Sequence, residues 1–196
     1  MKKGFRRAML CILAAALIWA GSAMADRQAL SRELIRLHVV AASDSPEDQA
    51  IKLRVRDAVL ENMGQAMETA VSPQAAETWL RENLPRLKQA ANEALEALGC
   101  DKQAVVTLCR EAFPIREYPD FTLPSGIYEA LRITIGEGEG HNWWCVAYPS
   151  LCLTAAGGDV EAVAADAGIS ETLRGTMTGR YQIRFFLLDL LGSLGK

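Results

Sequence analysis

The chain contains the segment Ile35-Arg-Leu-His-Val-Val-Ala-Ala-Ser-Asp-Ser-Pro-Glu-Asp48, which predicts a buried strand leading directly into a helix. The strand, Ile35 to Ala42, is short and rich in β-branched residues. Ser45 is a good N-cap and Pro46 suits the first helical turn. The two acidic residues that follow favour the positive end of the helix dipole.

Helical spacing of apolar residues continues after this segment. The first helix is expected to run to about Met67, and Ser72 should cap a second helix that extends through Leu80. Pro85 is expected to interrupt the chain, so that a third amphipathic helix begins there and ends at Gly99.

The second half of the sequence changes to strand-like patterns. One strand, then a helical block, then several strands predicts an α+β fold with a mostly antiparallel sheet. Residues 26–196 are expected to form a single domain, in which the segment 154–196 is the least defined. The expected later elements are strands at 104–110, 127–135, 143–148 and 179–186, and a short terminal helix at 187–191; residues 160–167 are expected to be either helical or mobile.

The N-terminus has the pattern of a secretory signal peptide. A basic start, Met1 to Arg7, precedes a nearly continuous apolar run, and Ala23-Met-Ala25 fits the small-x-small cleavage rule. Residues 1–25 are therefore predicted to direct export and to be removed after Ala25. An uncleaved N-terminal anchor is the alternative, although the apolar run is short for a span of about 20 residues.

The charge balance limits the partners of the exported chain. The formal net charge is −3, and loss of the four basic residues in positions 1–25 takes it to −7. Nucleic acids and anionic membrane surfaces repel an acidic domain at long range. We therefore expect no nucleic-acid partner and no stable membrane insertion after signal cleavage.

Four cysteines remain after cleavage, namely Cys100, Cys109, Cys145 and Cys152. An even number in an exported chain indicates disulfides, and four cysteines allow three pairings. Cys145 with Cys152 is the simplest pair, because Pro149 favours a turn between them. Zinc is the rival explanation, but the spacing and the two histidines do not provide a usual ligand set. We expect neither a metal nor another cofactor.

Candidate catalytic groups are few. Cys145 and His141 could form part of a thiol hydrolase, but such partners are usually distant in sequence and need a third, orienting group. Glu137 and Glu139 fit a solvated turn better than a calcium site, and His38 fits a packed core position. No residue is therefore assigned as catalytic, and the chain is predicted not to be an enzyme.

Two adjacent tryptophans follow the glycine-rich turn Gly136-Glu-Gly-Glu-Gly140. Adjacent residues of one strand point to opposite faces, so Trp143 and Trp144 should lie on different sides of the sheet. One is expected to pack in the core and the other to face outward, where an exposed aromatic side chain can anchor a partner. Burial of both is the alternative.

Two blocks of sequence resemble the stage II sporulation protein R family of endospore-forming bacteria. The first is Ile35 to Val59; the second comprises Tyr128-Glu-Ala130, Gly136-x-Gly-x-Gly-x-Asn-Trp-Trp-Cys-Val146 and Pro149-x-Leu-Cys152. Ala42 departs from the family block, which often has Asn at this place. The resemblance ends near Gly157.

The resemblance implies a signalling protein rather than an enzyme. Members are made in the forespore and exported into the space between the forespore and mother-cell membranes. There they activate a membrane-embedded aspartic protease that processes the precursor of sigma factor E. The alternative function is an exported cysteine-dependent hydrolase of cell wall or peptide. The residues expected to bind the partner are Asp44, Asp48, His141, Asn142, Trp143 and Trp144.

Overall fold

The structure is a computed structural model that describes residues 2–151 and 160–178. The expected C-terminal strand and helix, at 179–186 and 187–191, lie outside the described residues. The helices are α1 (Lys2–Glu33), α2 (Pro46–Thr69), α3 (Pro73–Ala97), α4 (Val160–Asp166) and α5 (Glu171–Met177). The strands are β1 (Ile35–Val40), β2 (Ala104–Phe113), β3 (Arg116–Glu117), β4 (Thr122–Leu123), β5 (Gly126–Ile135) and β6 (Asn142–Tyr148).

The main sheet has four strands in the order β2-β5-β1-β6. β1 is parallel to β5 and antiparallel to β6, and β2 is antiparallel to β5. β3 and β4 form a separate two-stranded ribbon. The predicted α+β class is confirmed. β1 and β5 can be parallel because α2, α3 and β2 lie between them in the chain, which provides the long connection that a parallel pair needs.

One face of the sheet, which we call the helix face, is covered by α2 and α3. Alternate residues of the strands point to this side, as the pleat requires. The core formed here is apolar, and its most buried members include Leu37, Val39, Val55, Val59, Leu80, Leu87, Leu95, Leu131 and Ile133.

The other face, which we call the aromatic face, is covered in part by the end of α1, by the β3–β4 ribbon and by α4 and α5. Leu30 and Leu34 are fully buried here. The strands contribute Phe113, Tyr128, Ala130 and Val146 to this second core. The same face also carries Arg36 and His38 of β1, both of them buried.

The expected break at Pro85 is wrong, because α3 is one continuous helix from Pro73 to Ala97. Proline removes one backbone donor and usually costs about 3 kcal/mol inside a helix. Here Pro85 lies on the exposed side, where water can hydrate the carbonyl that loses its partner. Leu80 and Leu87, before and after Pro85, are both fully buried in the same core, which holds the two halves in one helix.

α1 continues without interruption through the expected cleavage point after Ala25. Its residues Gly4–Glu33 form a helix long and apolar enough to cross a membrane, a property that signal sequences near an N-terminus share. The last two turns, from Asp26 to Glu33, were not predicted as helix. They belong to the folded domain, since Leu30 packs in the second core.

Candidate functional site

The two sequence blocks that resemble one family meet at one corner of the molecule. β1 comes from the first block, and its neighbours β5 and β6 come from the second. Beyond the strand ends the pairing continues, because the N–H groups of Glu139 and Gly140 donate to the carbonyls of Ala42 (3.3 Å) and Ala41 (3.0 Å). The glycine-rich turn is thereby fixed against the end of β1, and we call this region the β1 corner.

The glycines of this turn are required by close packing. A Cβ at Gly140 would lie only 2.2 Å from the carbonyl oxygen of Ser43, which is backbone and cannot rotate away. Gly138 has a φ of +68°, and a Cβ there would lie 2.5 Å from Cγ2 of Thr134. Residues that carry a side chain rarely adopt a φ in this range. The alternating glycines therefore serve the approach of the turn to β1.

Asp44 and His141 form an exposed pair at the β1 corner. The His141 backbone N–H donates to Asp44 Oδ1 (2.6 Å), and the Nδ1 atom of the same histidine contacts that oxygen. The two side chains remain 56% and 78% exposed. These hydrogen bonds, the side-chain one first, lower the pKa of Asp44. The corner therefore presents a fixed, ionised carboxylate and an imidazole to solvent.

Asp48 lies behind this pair and is buried, unlike Asp44. It accepts hydrogen bonds from Ser43 Oγ (2.5 Å) and from Lys102 Nζ (2.6 Å). Lys102 is the main cause that lowers the pKa of Asp48. Asp48 thus ties the start of α2 to the segment before β2, and its direct contact with a partner stays a prediction.

A buried lysine joins α2 to the turn from beneath. Lys52 is 5% exposed, and its Nζ donates to the carbonyl of His141 (2.9 Å) and to Gln49 Oε1 (2.6 Å). Burial lowers the pKa of this ammonium. Lys52 is not among the residues predicted for the site, although a lysine on the apolar side of an amphipathic helix indicates a buried polar contact.

Trp143 and Trp144 lie on opposite faces of the sheet and are both half-buried. Trp143 packs against the core of the helix face, and the Arg56 guanidinium lies 4.7 Å from its ring centroid. Trp144 packs on the aromatic face, where Arg116 lies 5.2 Å from its ring. Neither indole is fully buried or freely exposed, so the expected division into one core and one surface tryptophan is too sharp.

Trp144 is part of an aromatic cluster around His38. The two rings stack with centroids 3.8 Å apart and an interplanar angle of 11°. Phe113 meets Trp144 edge-on at 4.8 Å. Nδ1 of His38 lies 2.7 Å from Oε1 of Glu111. Burial nevertheless lowers the pKa of His38, although the hydrogen bonds that His38 makes to Asn142 and Glu111, and the charge of Glu111, oppose that shift.

Arg36 is a buried cation beside this cluster, with no exposed surface. Its Nε donates to the carbonyl of Cys145 (3.0 Å) and its Nη2 to the hydroxyl of Tyr118 (2.8 Å). The guanidinium lies 4.5 Å from the centroid of Phe113. Burial lowers its pKa. Within residues 2–151 and 160–178 no carboxylate lies within ion-pair distance of it.

The geometry does not assemble a thiol site. Cys145 is 2% exposed and points to the helix face, whereas His38 points to the aromatic face and His141 is exposed at the corner. In the part of the chain that the structure describes, no cluster of three metal-binding side chains occurs. The free thiols there are Cys11, Cys100 and Cys109. Cys152 lies outside the described residues, so the Cys145–Cys152 pair stays a prediction.

Comparison with known proteins agrees with the location of the two blocks. The family described as Stage II sporulation protein R matches residues 31–157. A protein named Stage II sporulation protein R from Bacillus subtilis (strain 168) is 38% identical over 120 residues, 61% of this chain and 54% of that protein. The chain thus spans about half the length of that relative. No solved structure matches.

Proposed function

The chain belongs to the stage II sporulation protein R family, and we propose that it is an exported signal that activates a membrane-embedded aspartic protease by binding to it. The activated protease processes the precursor of sigma factor E. The family membership itself supports a role in sporulation. The protease, its substrate and the compartment are the parts that the experiments below test.

The β1 corner is the observation that carries this proposal. Two blocks that are far apart in sequence converge there, and close backbone packing at Gly140 fixes their relative position. Asp44, His141 and the exposed Asn142 project from this rigid support. A surface held in one geometry loses little entropy on binding, which favours affinity and specificity. An activating ligand needs such a surface and no chemistry of its own.

The hydrolase alternative receives no support from the geometry. Catalysis by Cys145 needs an imidazole within hydrogen-bond reach of its sulfur. His141 lies four residues earlier, roughly 13 Å along an extended chain, and it is engaged with Asp44. The buried sulfur also offers no open approach to a substrate.

Export fits the apolar N-terminal helix. A basic start followed by an apolar helix directs a chain across a membrane. We propose that the domain acts in the space between the forespore and mother-cell membranes. Removal of residues 2–22 keeps Leu30 and its packing, so the truncated domain should fold but remain in the cytoplasm. Normal signalling by that truncated protein would contradict the proposed location.

The binding proposal is tested by co-expressing the chain with the protease and the precursor of sigma factor E in a heterologous host. Processing of the precursor, followed by immunoblot, should depend on the chain. Asp44→Ala and His141→Ala should reduce processing at least about tenfold, because each removes half of the exposed pair. Asp101→Ala is the matched control, since Asp101 is an exposed aspartate outside both blocks.

Two results would overturn the assignment. If processing in the host is independent of the chain, the activation proposal fails. If Asp44→Ala, His141→Ala and Asn142→Ala all support full processing while the protein is folded, the β1 corner is not the contact surface. A direct pull-down of the protease by the wild-type chain separates loss of binding from loss of activation.

A further inference from the structure

β2 is an edge strand whose outer side is open. It pairs with β5 over its full length, from Ala104 to Phe113, without a register shift. Its ten residues exceed the usual length of about five or six for a strand. In the sheet order β2-β5-β1-β6, nothing in the described part of the chain pairs with its other side.

The hydrogen bonds of one side chain show which backbone groups of β2 point away from β5. Asn92 of α3 accepts from the N–H of Ala104 (2.9 Å) and donates to its carbonyl (3.1 Å), so these groups point away from β5. Backbone groups alternate along a strand. Those of Val106, Leu108, Arg110 and Ala112 therefore point outward too, and they have no hydrogen-bond partner among the described residues.

This edge lacks the usual protection against pairing. Natural edge strands carry proline, bulges or several charges that prevent association. Between Ala104 and Phe113 there is no proline, glycine or bulge, and the stretch from Val105 to Cys109 is uncharged. Val105, which is 52% exposed, adds apolar surface to this edge strand.

We propose that β2 pairs antiparallel with β2 of a second copy of this chain, with the twofold axis at Cys109. This register joins two four-stranded sheets into one continuous sheet of eight strands. It places Leu108 opposite Arg110 of the other copy, and Thr107 opposite Glu111. An axis at Arg110 or at Glu111 would instead set like charges directly opposite each other, which destabilises a strand pair.

Cross-linking through Cys109 can test this register. Its backbone groups point to β5, so at the axis the two Cys109 residues form a narrow, non-hydrogen-bonded pair with Cα atoms about 4.5 Å apart. That distance lies within the disulfide range of about 4.4–6.8 Å. Moving the axis to Leu108 would separate the two Cα atoms beyond that range. Cys109 is a free, half-buried thiol in the single chain.

The first experiment measures mass and cross-linking. The full chain, carrying Cys11→Ser and Cys100→Ser, is purified in detergent and studied by light scattering coupled to size exclusion. A concentration-dependent dimer is expected. Mild oxidation should convert it to a covalent dimer whose linking peptide contains Cys109 twice, and Cys109→Ser should abolish the cross-link but keep the dimer.

The second experiment removes one outward donor. Arg110→Pro deletes an N–H that points away from β5, so the ladder inside the chain stays intact, as circular dichroism should confirm. Dimer affinity should fall at least about tenfold, because two intermolecular hydrogen bonds are lost. Arg110→Ala, which keeps the N–H, is the matched control and should remain dimeric.

Three outcomes overturn the proposal. A monomer at all concentrations shows that the edge is open or accepts a different protein. A dimer that Arg110→Pro leaves unchanged shows association through another surface, such as α1. A dimer that depends on the Arg110 N–H but never cross-links through Cys109 rejects the register. The protease assay is independent of all three, so failure here leaves the proposed activation untouched.

Discussion

The two faces of the sheet bury their side chains by different means. On the helix face, aliphatic residues of the strands meet aliphatic residues of α2 and α3. On the aromatic face, the sheet buries the guanidinium of Arg36 and the imidazole of His38 among Phe113, Tyr128 and Trp144. Apolar packing tolerates exchange of similar shapes, whereas buried polar groups need specific partners. The helix face thus contributes most of the stability, whereas the specific contacts of the aromatic face fix the positions of β1, β2 and β6 relative to one another.

The first prediction tests this difference at two adjacent residues of β1. Leu37 is fully buried on the helix face. Leu37→Ala should lower the free energy of unfolding by about 4 kcal/mol, because it removes buried methyl groups and leaves a cavity. Chemical denaturation measures this loss. Leu98→Ala, at a leucine that is 45% exposed, is the control and should cost much less.

Arg36, the neighbour of Leu37, should respond differently. A buried charge contributes little net stability when an apolar residue of similar volume can replace it. Arg36→Met should therefore change the free energy of unfolding by less than about 1 kcal/mol. A loss as large as that of Leu37→Ala would show that the aromatic face is as important for stability as the helix face.

The second prediction compares the two tryptophans. Trp144→Ala should cost about 3 kcal/mol, because it removes the stack on His38 and the edge contact with Phe113. Trp143→Ala should cost about 2 kcal/mol, because Trp143 contacts the helix-face core at its margin. Melting curves of both variants check the order. A lower melting temperature for Trp143→Ala than for Trp144→Ala would contradict the expected order.

The third prediction concerns the pH dependence of stability that His38, on the aromatic face, should cause. Burial lowers the pKa of His38 in the folded protein. The unfolded chain therefore binds a proton on this histidine at a higher pH, near its usual pKa of about 6.5. Stability contributed by neutral His38 is present above that pH and is lost as the pH falls below it. Denaturation at pH 7.5 and 5.5 should show this loss, and His38→Gln should reduce it.

The fourth and smallest effect on stability is expected at the β1 corner. Asp44→Ala breaks a solvent-exposed contact, and exposed ion pairs add little to stability. Its unfolding curve should nearly overlay that of the wild type, whereas processing of the precursor falls. An Asp44→Ala protein that is clearly destabilised would mean that the pair holds the corner together instead of contacting a partner.

Much of the fold follows from local pattern in the sequence. β1 and the start of α2 appear as predicted, since a run of β-branched residues and a Ser-Pro cap act locally. β5 and β6 also match their predicted positions to within one residue. Pro85 was misread because its tolerance depends on which side of α3 faces solvent, and that is a property of tertiary packing.

The candidate site was predictable only in part. The structure brings Asp44, His141 and Asn142 together beside the glycine-rich turn. All three lie in the two sequence blocks that resemble one family, so their proximity could be expected from the sequence. Arg36, Glu111 and Tyr118 were missed, because their interactions join segments far apart in the chain. Arg36 alone gave a signal, as a single charge in an otherwise apolar strand.

The position of β1 also governs when the chain can fold. β1 lies in the middle of the sheet, where Leu37 pairs with Leu131 of β5 on one side and with Cys145 of β6 on the other. Both neighbours are synthesised late, and strand pairings this far apart in sequence slow the formation of the sheet. A ribosome must complete β6 before the first strand gains its second neighbour. The sheet therefore closes only after the residues up to Tyr148 have been synthesised.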